Sequence, residues 1–553
     1  MTRAALMLLP LTLLAGCPTS GRAGLDASLE GPDADRVAMD AEQPQGLDAS
    51  AAPDAGLGED AGLVWAIEIG SASLGPVNRR LLGNNVQWVD HADHLTNEQG
   101  AILPDRLATL QAMGVPLLRY PGGTLSDAFR FTDSIEPLAS RPLGLDLQGV
   151  AQPMALGTNE YMSLCKQLGA EPLITLNLYS GTPLDATAWL SYLNLTEGPQ
   201  RGWPKAVYWE IGNEPYLTTS APGYGPDELT PAEFSRRANE TLRALRAVDP
   251  TLKLALPVRL DSMNGTPTVT KPGFLDTVLE LVTEPFELAA IHDGYLPVDL
   301  GDTASDPDLF LATMAGPLAF EEELRRYRAR LDEAKPGNAV RFALTEYHPW
   351  LKIRTMLLYA TNPDFTMEEL IEAVDADHRA NSLAGAIYVA DLLRLLSYRS
   401  DVELAAFWSA SGNYVFGALN DQGVPRPPAL ALQAAGEVLR GELLPVSGAT
   451  PTLSTPNVGL VRAFSAVPTL TTLAAREGTT VRLLIAHKHP SDAIRVSLPG
   501  IALQGATARV LTAADALSRD DSRAWLQWQP LPIVNGRLDL PPHSLVRIDA
   551  PQP

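Results

Sequence analysis

Lys205-Ala206-Val207-Tyr208-Trp209-Glu210-Ile211-Gly212-Asn213-Glu214-Pro215 is a short apolar run that stops abruptly at polar residues. Its apolar part, Ala206–Ile211, has the length of a buried strand, and the next strong pattern, Pro231–Val248, has the spacing of an amphipathic helix. Working outward, the same pairing recurs along the chain. Strand-like runs fall at Arg80–Gln87, Val115–Arg119, Pro172–Asn177, Leu252–Pro257, Phe286–His292, Arg341–Glu346 and Val402–Trp408. Helical stretches follow at Arg106–Met113, Asn159–Leu168, Ala186–Leu193, Phe274–Val282, Ala319–Leu331, Ala380–Leu396 and Pro428–Arg440. Strict alternation of eight strands with eight helices predicts an α/β fold, a (β/α)8 TIM barrel over residues 77–440. An open doubly wound sheet would need a glycine-rich first βα turn, which this sequence lacks.

The flanks read differently. Residues 441–553 hold short strand-like runs separated by turn residues, such as Thr480–Ala486 and Leu545–Asp549, which predicts a C-terminal β-sandwich. Val64–Ile69 is an N-terminal strand, within 64–76, expected to pair into that sandwich. Residues 18–63 contain no Phe, Tyr or Trp and carry ten acidic residues against two arginines, so a disordered acidic linker is expected there. The whole chain of 553 residues has a net charge of −23, which excludes a basic footprint for nucleic acid. Residues 1–17 read as a targeting segment, because Ala4–Leu14 is apolar but too short to span a bilayer. Leu14-Ala15-Gly16-Cys17 resembles a bacterial lipobox. That resemblance implies a signal peptide, diacylation of Cys17, and a folded part lipid-anchored to a membrane outside the cytoplasm, on the outer membrane or cell surface. With Cys165 the only other cysteine, a disulfide framework is excluded.

In a barrel of this kind the active site lies at the C-terminal ends of the strands. Strand four runs out into Asn213-Glu214, and strand seven, Phe342-Ala343-Leu344-Thr345-Glu346, ends on a glutamate. Two carboxylates facing each other across a barrel mouth are what glycosidic cleavage needs, one to protonate the leaving oxygen and one to attack. One glutamate at a strand end is as easily a solvated charge, but the two together make a catalytic pair. Asn213 stands where an amide can donate to a sugar 2-hydroxyl. Trp88, Tyr179, Tyr216, Trp350, Trp408 and Tyr414 are candidates for stacking on sugar faces, against a plain packing role. The loops Thr132–Thr158, Leu296–Pro317 and Tyr347–Arg379 are long enough to shape a cleft. His91 and His94, three apart, have no third ligand in view, so no metal site is expected.

The Asn213-Glu214 and Glu346 pair resembles clan A of retaining glycoside hydrolases. More narrowly, Leu118-Arg119-Tyr120-Pro121-Gly122-Gly123, Trp209-Glu210-Ile211-Gly212-Asn213-Glu214 and the terminal Pro541-Pro542-His543-Ser544 look similar to glycoside hydrolase family 51, the α-L-arabinofuranosidases. The resemblance covers nearly everything after about Val64. It implies a barrel plus a sandwich, a polysaccharide or oligosaccharide substrate, and no metal or organic cofactor. It implies Glu214 as acid/base and Glu346 as nucleophile, with Tyr295 beside the nucleophile. Substrate contacts are then expected from Asn213, Arg119, Gln87, Trp88, Thr124, His292, Tyr295 and Trp408. The chain departs from the family pattern in three places, one being strand eight, which ends in Trp408-Ser409 without a glutamine. Gly122-Gly123 is followed by Thr124 rather than asparagine, and Gln87 stands where a glutamate is usual. Those departures leave two other readings open: an endo-β-glycanase or uronidase of the same clan, and a surface carbohydrate-binding lipoprotein without turnover.

Overall fold

A computed structural model describes residues 63–146, 149–218, 229–299, 304–337, 339–352, 379–412, 416–519 and 526–551. The targeting segment with Cys17, the acidic linker up to residue 62, and Tyr414 lie outside the described residues.

Eight parallel strands close on themselves. They are β1 (Gly83–Asn85), β2 (Leu117–Tyr120), β3 (Glu171–Thr175), β4 (Tyr208–Glu210), β5 (Lys253–Pro257), β6 (Leu288–Ile291), β7 (Arg341–Lys352) and β8 (Val402–Phe407). Each pairs with its neighbour in chain order, and β8 returns to β1 through Ala406↔Gly83 and Phe407↔Asn84. Helices α1 (Pro104–Met113), α2 (Thr158–Leu168), α3 (Pro183–Ser191), α4 (Pro231–Val248), α5 (Phe274–Leu281), α6 (Asp306–Ala334), α7 (Leu383–Ser397) and α8 (Pro427–Val438) follow the strands in turn. Their ends carry local signals. Pro231 opens α4 behind Thr230, whose hydroxyl accepts the Glu233 amide, and α1 and α2 stop at left-handed Gly114 and Gly169.

Strand periodicity decides what fills the barrel. Leu117, Leu173, Tyr208, Ala255, Leu288, Ala290, Ala343, Leu404 and Ala406 form an apolar layer of their own, while alternate residues such as Leu118, Ile174, Trp209 and Phe342 join the core under the helices. Two residues further along five of the strands the filling turns polar: Arg119 after Leu117, Thr175 after Leu173, Glu210 after Tyr208, His292 after Ala290, Thr345 after Ala343. All five are buried. A register irregularity on the β8 side of β7, between Leu344 and Tyr347, lets chain neighbours Thr345 and Glu346 both reach the barrel mouth.

Two segments differ from the sequence expectation. The run Arg80–Gln87 holds only three strand residues, Gly83–Asn85, preceded by a 3-10 turn at Arg79–Leu82. Much of the expected loop Leu296–Pro317 is regular. Gly294–Asp299 continues strand six beside the long β7, and α6 begins at Asp306 and carries Pro317 in its interior. Proline discourages that reading from sequence because it deletes one helical hydrogen bond, but here α6 is held by packing. Gly316 lies so close to α7 that a Cβ would meet the Tyr388 ring at 2.7 Å. Most of the loop after β7, residues 353–378, is outside the described set.

The sandwich draws on both ends of the described chain. Val64–Ala66 pairs with Ile494–Ser497 in one sheet, and Gly75–Pro76 edges a second sheet that includes Leu470–Glu477, Thr480–His487 and Ser544–Pro551. Ile67, Leu483, Ile485, Val496, Leu538, Val546 and Ile548 fill the space between the sheets. A buried ion pair fastens the sandwich to the barrel, with Lys488 Nζ 2.8 Å from Asp391 of α7.

Candidate active site

β4 ends at Glu210, so the polar layer receives Glu210 before the chain turns out through Gly212 (φ +90) to Asn213 and Glu214. Glu214 itself has φ +41, a conformation that costs a non-glycine residue about 1–2 kcal/mol and turns its carboxylate back over the mouth. Glu346 arrives from β7. The fully buried Arg119 guanidinium joins these groups: Nε is 2.6 Å from Glu210, Nη1 is 2.6 Å from Glu346, and Nη2 donates to the Asn213 side-chain oxygen at 2.9 Å. Asn85 accepts from the same Nη1 at 3.0 Å, while its amide nitrogen donates to backbone carbonyls of β7 and β8.

His292 sits at a break in strand six, between β6 and Gly294–Asp299. Its Nδ1 is 3.1 Å from Glu214 Oε1 and 3.7 Å from Glu346 Oε1; its Nε2 is 2.9 Å from the Thr345 hydroxyl. Tyr295 donates to Glu346 Oε2 at 2.9 Å, and Tyr216 donates to Glu214 Oε1 at 3.3 Å.

The charges follow from this geometry. Burial works against a charged Glu210, yet Arg119 and His292, with the Thr345 hydroxyl, hold its carboxyl down at about 2. Burial also disfavours the His292 cation, but the carboxylates of Glu346, Glu210 and Glu214 outweigh it and raise the imidazole to about 9. Burial lifts the Glu346 carboxyl above its ordinary value; His292 and Arg119 pull against that rise, and Glu214 adds to it. Tyr295, pushed up by burial and by Glu346, stays a hydrogen-bond donor.

Donor atoms of Glu214, His292 and Glu346 all lie within 4.8 Å of one another, a spacing that also suits a divalent cation. Two resident positive charges compete for that place. Arg119 already pairs with both Glu346 and Glu210, and a protonated His292 has no lone pair to give.

The remaining expected contact residues are distributed unevenly. Trp408, after β8, lays its ring over Gly122 and Gly123, where an added Cβ would approach to 3.2 and 2.5 Å. Gln87 joins them, its amide donating to the Gly122 carbonyl at 3.3 Å. Thr124 is buried as the first residue of a 3-10 turn behind Gly123. Trp88, a candidate platform, is 3% exposed and lies beneath Gly144 of the loop after β2, so it packs that loop instead of facing the mouth. Trp350 is also buried, edge-on to Tyr295 and to the partly exposed Phe416. Tyr179 and Tyr216 are buried as well. Sequence reasoning passed over Glu210, Asn85, Thr345 and Phe416. For Glu210 a signal existed: two residues beyond Tyr208 on one strand, it must face inward wherever Tyr208 does.

A family model described as the α-L-arabinofuranosidase 1 domain matches residues 109–195. A probable α-L-arabinofuranosidase C from Aspergillus clavatus is 26% identical over 303 residues, 51% of this chain and 57% of that protein. An intracellular exo-α-(1→5)-L-arabinofuranosidase from Streptomyces lividans is 25% identical over 462 residues, 78% of this chain and 65% of that protein. The chain thus spans between about half and two thirds of the length of these relatives. The GH51 α-L-arabinofuranosidase of Thermotoga petrophila shares the fold, with a TM-score of 0.68 at 20% identity, covering 88% of this chain and 99% of that one. The matched segment and the relatives make this chain similar in sequence to α-L-arabinofuranosidases, and its fold is that of a glycoside hydrolase family 51 structure.

Proposed function

We propose that this protein is a retaining glycoside hydrolase that releases α-L-arabinofuranosyl units from polysaccharide or oligosaccharide, with Glu346 as nucleophile and Glu214 as acid/base. The observation that carries the reading is the spacing of the two carboxylates, with oxygens inside 4.8 Å of each other. Carboxyl groups about 5–5.5 Å apart leave no room for a water between sugar and nucleophile, so attack comes from the carboxylate itself. Assignment of the roles follows the contacts. Glu346 is held by Arg119 and Tyr295, donors that favour an anion. Glu214 lies on a loop at the mouth, where a leaving oxygen arrives.

In the first step Glu346 bonds to the anomeric carbon as the glycosidic C–O bond breaks, and the Glu214 proton passes to the departing oxygen. In the second, Glu214 takes a proton from water, whose oxygen attacks the anomeric carbon and frees Glu346 as carboxylate. Negative charge therefore moves from Glu346 to Glu214 and back. The His292 imidazolium, within 3.7 Å of both, is the counter-charge in each half-reaction. Asn213, steadied by Arg119, donates to the sugar 2-hydroxyl, and Trp408 with Gln87 packs over Gly122 and Gly123.

The names of the relatives support arabinofuranose as the sugar. A second reading, endo-β-glycanase or uronidase, is favoured by Gln87, which offers an amide where a carboxylate would accept two sugar hydroxyls. Turnover of 4-nitrophenyl α-L-arabinofuranoside with first-formed product of retained configuration is the expected result, and Glu346→Gln should abolish it. Hydrolysis of β-glucan without any on the arabinofuranoside would overturn the sugar assignment, and an inverted product would overturn the mechanism. Leu14-Ala15-Gly16-Cys17 further supports tethering outside the cytoplasm through an acylated Cys17. Cys17→Ser should then move the protein from the membrane fraction to the soluble one; unchanged partition overturns the anchor.

A further inference from the structure

Beneath the acid/base lies a second buried ion pair that the reaction above does not use. Arg259, just beyond β5, and Asp293, in the break of strand six, are 6% and 4% exposed, with Arg259 Nε 2.7 Å from Asp293 Oδ1. The guanidinium does two further things. Its Nη1 donates to the His292 carbonyl at 2.9 Å, and its Cζ lies 5.7 Å from the centre of the Tyr216 ring. On the other side Tyr327 of α6, fully buried, donates its hydroxyl to Asp293 and accepts the Leu260 amide at 2.9 Å.

Among the described residues, His292 and Tyr216 are the two side chains that contact Glu214 Oε1. Both are therefore backed by the same cation, whose direction is set by Asp293 and, through it, by α6. The strand-six break also matters. His292 sits between the paired segments Leu288–Ile291 and Gly294–Asp299, so its carbonyl needs a donor, and Arg259 supplies one. An isolated buried arginine is costly, so a pair kept dry here is explained by what it orients at least as well as by stability.

We propose that Arg259 and Asp293, braced by Tyr327, are positioning residues for Glu214, acting through His292 and Tyr216 to fix where the acid proton is delivered. The inference rests on the hydrolase reading above. It sets a specific expectation: loosening the brace harms proton donation to the leaving group more than attack at the anomeric carbon. Substrates with poor leaving groups need that proton, and those with activated phenols barely do.

The test compares kcat/KM on an arabino-oligosaccharide with that on a 2,4-dinitrophenyl α-L-arabinofuranoside, for wild type, Arg259→Lys and Tyr327→Phe. Tyr327→Phe removes a single oxygen, and it carries the test if Arg259→Lys fails to fold. Each variant should lose roughly tenfold or more on the oligosaccharide, within the span general acid catalysis contributes, and far less on the dinitrophenyl substrate. Equal losses on both substrates, or no loss on either, would overturn the positioning role while leaving the hydrolase standing. A wild type inactive on both would overturn the arabinofuranosidase reading, and this inference with it.

Discussion

His292 Nδ1 stands 3.1 Å from Glu214 Oε1. The other face of the ring fixes its protonation. The Thr345 hydroxyl donates to Glu210, so its oxygen is left to accept from His292 Nε2, which must carry hydrogen. Nδ1 then bears a proton only in the imidazolium, and that proton points between two carboxylates.

This gives a pH dependence with a definite sign. The His292 imidazole is raised to about 9, so its cation is present below that value and lost as pH rises through it. The Glu346 carboxyl is raised by burial, so the attacking anion forms at higher pH than for an ordinary glutamate. A bell-shaped profile of kcat/KM is expected, falling through about 9 on the alkaline side. In His292→Asn the alkaline limb should move away from about 9, since loss of the Glu214 proton alone then sets it, and the plateau should drop on the order of a hundredfold, as when one preorganised donor is lost. An unchanged alkaline limb in the variant would count against the role.

Removal of the acid alone should be selective. Glu214→Ala is expected to retain most activity on a dinitrophenyl glycoside and to lose on the order of a thousandfold on an oligosaccharide. Steady-state kinetics on the two substrates measure this, and equal loss on both would show that Glu214 does not protonate the leaving oxygen.

Gly123 occupies a site with no room for a side chain. It has φ +60, and an added Cβ would lie 2.5 Å from the Trp408 ring. Gly123→Ala should displace Trp408, and a shift of about 1 Å in a wall of the site can cost roughly a hundredfold in kcat/KM. An unaltered near-ultraviolet circular dichroism spectrum with wild-type kinetics would contradict that packing.

The joint between barrel and sandwich makes a stability prediction. Lys488 and Asp391 are 1% and 2% exposed, and Arg394 also reaches Asp391 at 2.7 Å. Lys488→Met leaves a buried carboxylate short of one partner and should destabilise by about 3–5 kcal/mol. Adding Asp391→Leu should recover part of that loss, because the orphaned charge is gone. Urea unfolding of the single and double variants decides it, and additive losses would mean the two residues act independently.

Some of this molecule is written locally. Glu214 and Glu346 stand out because each follows an apolar run at the end of a strand, a pattern visible within ten residues or so of sequence. Arg119 and His292 sit at comparable places. Gln87, Thr124 and Trp88 are marked by the same kind of signal, but whether such a ring faces sugar or core depends on a distant loop. Trp88 is covered by Gly144, and nothing near Trp88 in sequence announces it. Arg259 and Asp293 look like ordinary charges at strand ends until α6 is laid against them.

By itself the sequence determined the alternation of strands and helices, and therefore the barrel, because backbone periodicity and apolar burial act over a few residues. It also placed two glutamates at the mouth. Only the tertiary structure decided that Glu210 shares Arg119 with Glu346, that one imidazole serves both Glu214 and Glu346, and that α6 braces the site from behind. Those relationships are electrostatic contacts of about 3 Å between residues far apart in the chain, and the energy of a buried charge depends on every neighbour it meets, which no local pattern records.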